Sequence, residues 1–254
     1  MPHLVLTKHH GLGNDFLVLL DLANEHPVDA ARASALCDRR RGVGADGFIR
    51  VTAGAGGADL TMELRNADGG VAEMSGNGIS CLAQAAVDAG VAPWPELTIE
   101  TGGGVRTLIV EAESARGTRR VTVSMGPATI TGDVEVDGSK GLLVDVGNPH
   151  LVLRDTGQDL LRVGQAHGDR NVELVAEVGA DSVRMRVHER GVGPTEACGT
   201  GACAAALAAQ SWGITLDGTV TVHQPGGAAN VTIDAAGVAW LTVPVQYVAR
   251  IEVP

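Results

Sequence analysis

The sequence predicts an α+β fold of two pseudo-symmetric lobes. Each is expected to be a curved, mostly antiparallel sheet wrapped around a central helix, with a small-molecule site in the cleft between them. Three observations lead there. Residues 74–90 (MSGNGISCLAQAAVDAG) and 197–213 (ACGTGACAAALAAQSWG) repeat one pattern 123 positions apart, with Gly76, Gly78 and Gly90 matching Gly199, Gly201 and Gly213. Short segments that alternate apolar and polar residues dominate the rest of the chain. Helical patterns are few.

In chain order, Val28–Cys37 carries helix formers with Asp29 near its start. Thr61–Arg65 alternates as a strand with one buried face does. Gly76–Ala89 is the first repeated helix, stopped by a glycine suited to a C-cap. Val121–Met125 reads as another strand. Leu142–Val146 and Leu151–Leu153 are apolar runs flanking Gly147-Asn148-Pro149-His150, a turn or kink between strands. Val183–Val187, Val220–His223 and Val231–Ile233 alternate again, and Gly199–Trp212 is the second repeated helix.

The repeat extends upstream at the same offset. Met62 matches Met185, Leu64 matches Val187, and Asn66 matches Glu189. Each half therefore reads strand, polar loop, small nucleophile (Ser75 or Cys198), Gly-x-Gly, helix. The polar stretch Glu113–Thr118 is the expected link. It gives an N-terminal lobe of 1–115, to which the strand 243–254 returns, and a C-terminal lobe of 116–242.

Composition narrows the function. A chain of 254 residues can bury a sizeable core, and aromatics at 2% leave Val, Leu, Ile and Ala to build it. The net charge of −11 argues against nucleic acid, which needs clustered cations. The one basic cluster, Arg39-Arg40-Arg41, reads more readily as a solvated loop than as a binding patch. Four cysteines make no disulfide framework in a chain this long. The N-terminus lacks a signal-peptide pattern, and no apolar run approaches the length of a membrane span. A cytoplasmic protein is expected. His9-His10 has no spaced carboxylate or Cys partner, so no metal is expected.

A helix N-terminus presents free N–H groups and partial positive charge, and glycines let a ligand approach that backbone. One such end binds a carboxylate well; two would hold one firmly and stabilise charge spreading into it when the neighbouring α-carbon loses its proton. Cys198 stands just before its helix, a place expected to lower a thiol's pKa and favour a thiolate base. Cys37, Cys81 and Cys203 read as core.

The chain resembles the diaminopimelate epimerases, cofactor-independent amino-acid epimerases. The resemblance is carried, in order, by His10-Gly11-Leu12-Gly13-Asn14-Asp15-Phe16, Arg41-Gly42-Val43-Gly44-Ala45-Asp46-Gly47, Asn66-Ala67-Asp68-Gly69, Met74–Cys81, Gly147–His150, Asn171–Val175, and Glu189–Gly193 through Cys198–Gly201. Gly42-x-Gly44-x-x-Gly47 also fits a dinucleotide fingerprint as a string, but no helix pattern follows it, so it reads as a family turn. The resemblance implies a thiol pair on opposite sides of a substrate α-carbon, no pyridoxal phosphate or metal, and a small amino-acid substrate, diaminopimelate. It implies that the backbone amides of Gly76, Asn77, Gly199 and Thr200 hold the carboxylate, and that Asn14 and Asn148 surround the amino group. It implies that Asn66, Asn171, Glu189 and Arg190 read the distal end. His150 stays open between a titrating and a structural histidine, and a homodimer stays open as the assembly.

Three positions depart from the family. Ser75 replaces the first cysteine, Ser80 stands where Arg is usual, and Gly70 where Ser is usual. A hydroxyl is a poor resident base at neutral pH, and losing one general acid–base group costs about 10²–10⁴-fold in rate. Ser75 is open to three readings: an introduced substitution, a natural variant that still epimerises, or a change to one-sided proton transfer by Cys198, as in an isomerase or lyase. A ligand-binding protein without turnover is the remaining rival.

Overall fold

The computed structural model describes residues 4–115, 117–215 and 218–253; Arg116 of the polar stretch at 113–118 lies outside them, as do the first three residues and the last of the expected N-terminal lobe and residues 216 and 217 of the expected C-terminal lobe. The chain divides into two compact units, Met1–Val123 with Val243–Pro254, and Ser124–Thr242. The polar stretch ahead of Thr118 precedes a strand that still pairs within the first unit, through Val121–Val123.

The first unit runs β1 (Leu4–Gly11), β2 (Asn14–Leu20), α1 (Ala30–Cys37), β3 (Gly47–Ala53), β4 (Leu60–Asn66), β5 (Val71–Ala72), α2 (Gly76–Asp88), β6 (Glu96–Thr101), β7 (Gly104–Val110) and β8 (Thr118–Pro127). The second runs β9 (Thr129–Val136), β10 (Ser139–Asp145), β11 (Pro149–Arg154), α3 (Leu160–Ala166), β12 (Asn171–Gly179), β13 (Ser182–Glu189), β14 (Gly193–Thr195), α4 (Gly199–Ser211), β15 (Thr219–Gln224), β16 (Gly227–Ile233) and β17 (Val238–Val253). The ends of β8 and β17 fall in the other unit.

The pairing of the two units is the same, strand for strand. β1–β2, β3–β4 and β6–β7–β8 are antiparallel, joined by parallel contacts β2–β3 and β4–β6. β10–β11, β12–β13 and β15–β16–β17 are antiparallel, joined by parallel contacts β11–β12 and β13–β15. A parallel pair needs a crossover. α1 and α3 supply the first crossover of each unit, and α2 and α4 the second.

Strand alternation sends the two helices of a unit to opposite faces of its sheet. Leu17 and Phe48 pack in a cluster with Ala33, Leu36 and Cys37 of α1. Their neighbours Phe16 and Ile49 reach Gly78 of α2. In the second unit Leu151 and Leu174 pack with Val163 of α3, while Glu173 points to Gly201 of α4. α4 touches β9 to β13, β15 and β16, and is buried along most of its length. An all-round apolar helix belongs in a core.

The repeated helices match down to their caps. Gly90 (φ 69°) and Gly213 (φ 70°) follow the two C-caps in the left-handed region. Gly90 N–H donates to Val87 O and Val91 N–H to Ala86 O, as Gly213 N–H does to Gln210 O and Ile214 N–H to Ala209 O, each at 3.0 Å. That is a Schellman closure in both. The stretch Gly42–Gly47 joins α1 to β3 and opens no helix; a side chain on Gly42 would strike Ala35 O, so it is a tight turn.

Candidate active site

Ser75 is the N-cap of α2, extended at φ −140° and ψ 125°, and its Oγ accepts from Gly78 N–H at 3.1 Å. Cys198 is the N-cap of α4, at φ −132° and ψ 116°, and its Sγ accepts from Gly201 N–H at 3.4 Å. Each residue's carbonyl takes the next helical amide, that of Ile79 or Ala202. The N–H groups of Gly76 and Asn77, and of Gly199 and Thr200, are the first two of their helices and have no intrahelical partner. Gly76 and Asn77 are buried. A buried amide without an acceptor costs about 1–3 kcal/mol, so an anion placed there is favoured.

In the first unit Asn77 Nδ2 faces Asn14 Oδ1 at 3.4 Å, and Asn14 Nδ2 donates to Asp46 Oδ2 at 2.9 Å. Asn77 Oδ1 is buried without a partner among the described residues. Asn66 ends β4 with its side chain exposed. Ser80 is fully buried, and its hydroxyl donates to Gly76 O at 2.8 Å. Gly70 sits in the turn between β4 and β5, where its N–H donates to Asp68 Oδ1. Arg39 is not a free member of a solvated cluster: it bridges Asp15 at 2.7 Å and Asp46 at 2.8 Å.

In the second unit Cys198 is 6% exposed, and its N–H donates to Gln224 Oε1 at 2.7 Å. Thr200 Oγ1 lies 3.6 Å from Sγ. Here the electrostatic expectation fails. Burial pushes the Cys198 thiol well above its ordinary pKa, and the carboxylates of Glu189 and Glu173 push it further. The bonds from Thr200 and Gly201 pull the other way but do not prevail. The sequence shows the helix end but not the burial or the two acids, which favour the thiol over the thiolate. Burial also raises the Glu189 carboxyl, against hydrogen bonds from Thr195 and the Cys198 thiol itself.

His150 resolves as a buried bridge. Its Nδ1 lies 2.7 Å from Glu173 Oε1 and its Nε2 3.0 Å from Asn148 Oδ1. Glu173 is fully buried and its second oxygen has no partner among the described residues. A side chain on Gly201 would meet Glu173 Oε1 at 2.8 Å and Cys198 Sγ at 3.3 Å, so these groups crowd one helix end. Asn171 Oδ1 accepts the Arg190 backbone N–H at 2.8 Å, fixing the turn after β13. The Arg190 side chain is exposed, with no ion pair among the described residues. Sequence reasoning assigned no role to Glu173, Gln224, Thr195 or Asp46. The one available signal was Glu173, a charge inside the apolar run Val172–Val175.

Cys37, Cys81 and Cys203 are buried as free thiols. Burial raises each, Cys203 to about 12 and Cys37 to about 11, which suits core residues. His9 is buried against Gln84, and His10 Nδ1 accepts from Gly13 N–H. Among the described residues no three metal-ligating side chains gather, and no helix is long and apolar enough to cross a membrane.

The family model for diaminopimelate epimerase matches residues 6–131 and 142–248. A diaminopimelate epimerase of Mycobacterium avium (strain 104) is 38% identical over 97% of this chain and 95% of its own. One of Mycolicibacterium gilvum is 41% identical over 89% of each. Among solved structures, a predicted epimerase of Pseudomonas aeruginosa superposes with a TM-score of 0.77 at 16% identity, covering 98% of this chain and 99% of that one. A hydroxyproline epimerase of Agrobacterium vitis gives 0.71 at 16% identity, covering 99% and 92%. These two share the two-lobed α+β fold. Coverage and identity together place the chain in its family: it belongs to the diaminopimelate epimerases.

Proposed function

We propose that the protein interconverts LL-2,6-diaminopimelate and meso-diaminopimelate, taking a proton from one face of the α-carbon and returning one to the other, with no cofactor. It is an isomerase of the amino-acid epimerase type. The observation that supports this most is the paired helix entry: two N-termini with the same capping geometry, one offering a thiol and one a hydroxyl, each with two amides that have no intrahelical partner. The amides of Gly76, Asn77, Gly199 and Thr200 bind the substrate carboxylate and take up the charge that develops as the α-carbon is deprotonated.

Cys198 is the group that exchanges its proton with the α-carbon. Its thiol must shed a proton before it can act as a base, and the bonds from the Thr200 hydroxyl and Gly201 N–H are the contacts that favour the thiolate. Ser75 faces the other side and serves by hydrogen bonding or by relaying a proton. Asn14 and Asn148 meet the amino group. Asn66, Asn171 and Glu189 with Arg190 read the distal amino acid, where a cation and a carboxylate call for one acid and one base.

The test is incubation of each diaminopimelate stereoisomer in D₂O, with the α-proton followed by NMR. The expected result is inversion accompanied by deuterium at the α-carbon. Exchange without inversion means one-sided chemistry by Cys198. Saturable binding without exchange, indifferent to Cys198→Ala, means a binding protein.

A further inference from the structure

Asn14 and Asn148 hold matched places in their units. Each follows a left-handed glycine, Gly13 or Gly147, both at φ 84°, in the turn between the first two strands of a duplicated pattern. Their amides are held differently, and in the first unit the hold has one possible polarity. Asn14 Nδ2 donates to Asp46 Oδ2 at 2.9 Å, and a carboxylate can only accept. Turning the amide over would set its oxygen against that carboxylate.

Asp46 itself is pinned. Its Oδ1 takes the Arg39 guanidinium at 2.8 Å, its Oδ2 also takes Asp15 N–H at 3.2 Å, and its own N–H donates to Asp15 Oδ1 at 3.0 Å. Arg39 grips Asp15 through two nitrogens, and Lys8 meets Asp15 at 2.8 Å from another side. Two cations balance two carboxylates. Asn14 Oδ1 is thereby left facing away from Asp46, toward the N-terminus of α2, where it lies 3.4 Å from Asn77 Nδ2.

We propose that Asp46 is a positioning residue: it locks the Asn14 amide with its oxygen toward the ligand, making this side of the site an acceptor that selects a protonated amino group. The inference rests on the reading above that Asn14 meets the substrate. Arg39 and Asp15 act one step further back, by holding Asp46 in place.

A reciprocal swap tests it. Asp46→Asn removes the obligate acceptor and lets the Asn14 amide turn. Asn14→Asp sets two carboxylates against each other. The double variant Asn14→Asp with Asp46→Asn restores the donor–acceptor pair between positions 14 and 46, with an oxygen still facing the ligand, at the loss of the longer bond from Asp15 N–H. Diaminopimelate affinity is measured by calorimetry, and thermal melting reports on folding. Each single variant is expected to bind at least about tenfold more weakly, ~1.4 kcal/mol, and the double variant to bind more tightly than either single variant. A double variant as weak as the two losses combined would overturn the proposal, because a network that only braces the loop is not repaired by exchange. A second readout needs no ligand. In ¹⁵N-asparagine-labelled protein the Asn14 side-chain NH₂ signals, assigned by their loss in Asn14→Asp, are expected to shift and exchange faster in Asp46→Asn. Unchanged signals would overturn the proposal. Failure of the parent protein to bind diaminopimelate would defeat the proposed function, while the amide signals still decide the orientation of Asn14.

Discussion

Ser75→Cys probes the site most sharply. Cysteine at an N-cap is a geometry this fold already accommodates, since Cys198 Sγ takes the third helical amide at 3.4 Å where Ser75 Oγ does so at 3.1 Å. The longer C–S bond meets Gly78, the matching glycine of Gly201, so no side chain stands in its way at that position. The cap bond weakens with sulfur as acceptor, and replacing a good cap costs about 0.5–2 kcal/mol at most. A small fall in melting temperature is therefore expected. Activity should move the other way. A second thiol is far more acidic than a hydroxyl, and one positioned acid–base group is worth about 10²–10⁴-fold. The rise in epimerase kcat is expected to reach at least about tenfold, on the way to that ceiling. The assay is the initial rate of meso-diaminopimelate formation from the LL isomer, with the melting curve beside it. A variant that folds, binds substrate and shows no gain would refute the assignment of Ser75 to the second face.

Two further outcomes follow from the packing and charges. Gly164→Ala in α3 would place a Cβ 2.2 Å from Cγ of the buried His188 ring, and overpacking of this kind costs about 1–3 kcal/mol, read as a lower denaturation midpoint. Burial alone would raise the Asp15 carboxyl, but Arg39 and Lys8 outweigh it and hold its pKa down at about 2. A depressed acid stabilises the fold above its unfolded pKa, near 4, and that contribution disappears as the pH falls through about 2. Asp15→Asn is expected to flatten the stability–pH curve over that window; an unchanged slope would contradict the pairing.

Much of this was legible in the sequence, for reasons the structure makes plain. β4 and β13 alternate buried with more exposed residues along most of their length, and that alternation is what marks them as strands in the sequence. β2, β3, β11 and β12 are sandwiched between two helices. They carry near-continuous apolar runs with no alternation to read, as buried parallel strands do, and of the four only β11 is marked in the sequence, by the turn before Leu151–Leu153. α3 was missed because it has seven residues and includes Gly164, kept small by the His188 ring. The helix-end nucleophiles were visible because glycine spacing and capping are local. The polarity of the site was not. Glu173 approaches Cys198 from β12, and Asp46 approaches Asn14 across 32 positions of chain, so their effects on a thiol and an amide depend on tertiary packing.

The most direct measurement is the structure of the Cys198→Ala variant with diaminopimelate bound. One carboxylate should lie within about 3 Å of the backbone nitrogens of Gly76, Asn77, Gly199 and Thr200, a hydrogen-bond separation, with the α-carbon between Ser75 Oγ and the Cβ of residue 198. A carboxylate gripped by a single helix end, with the other nucleophile remote from the α-carbon, would contradict the account.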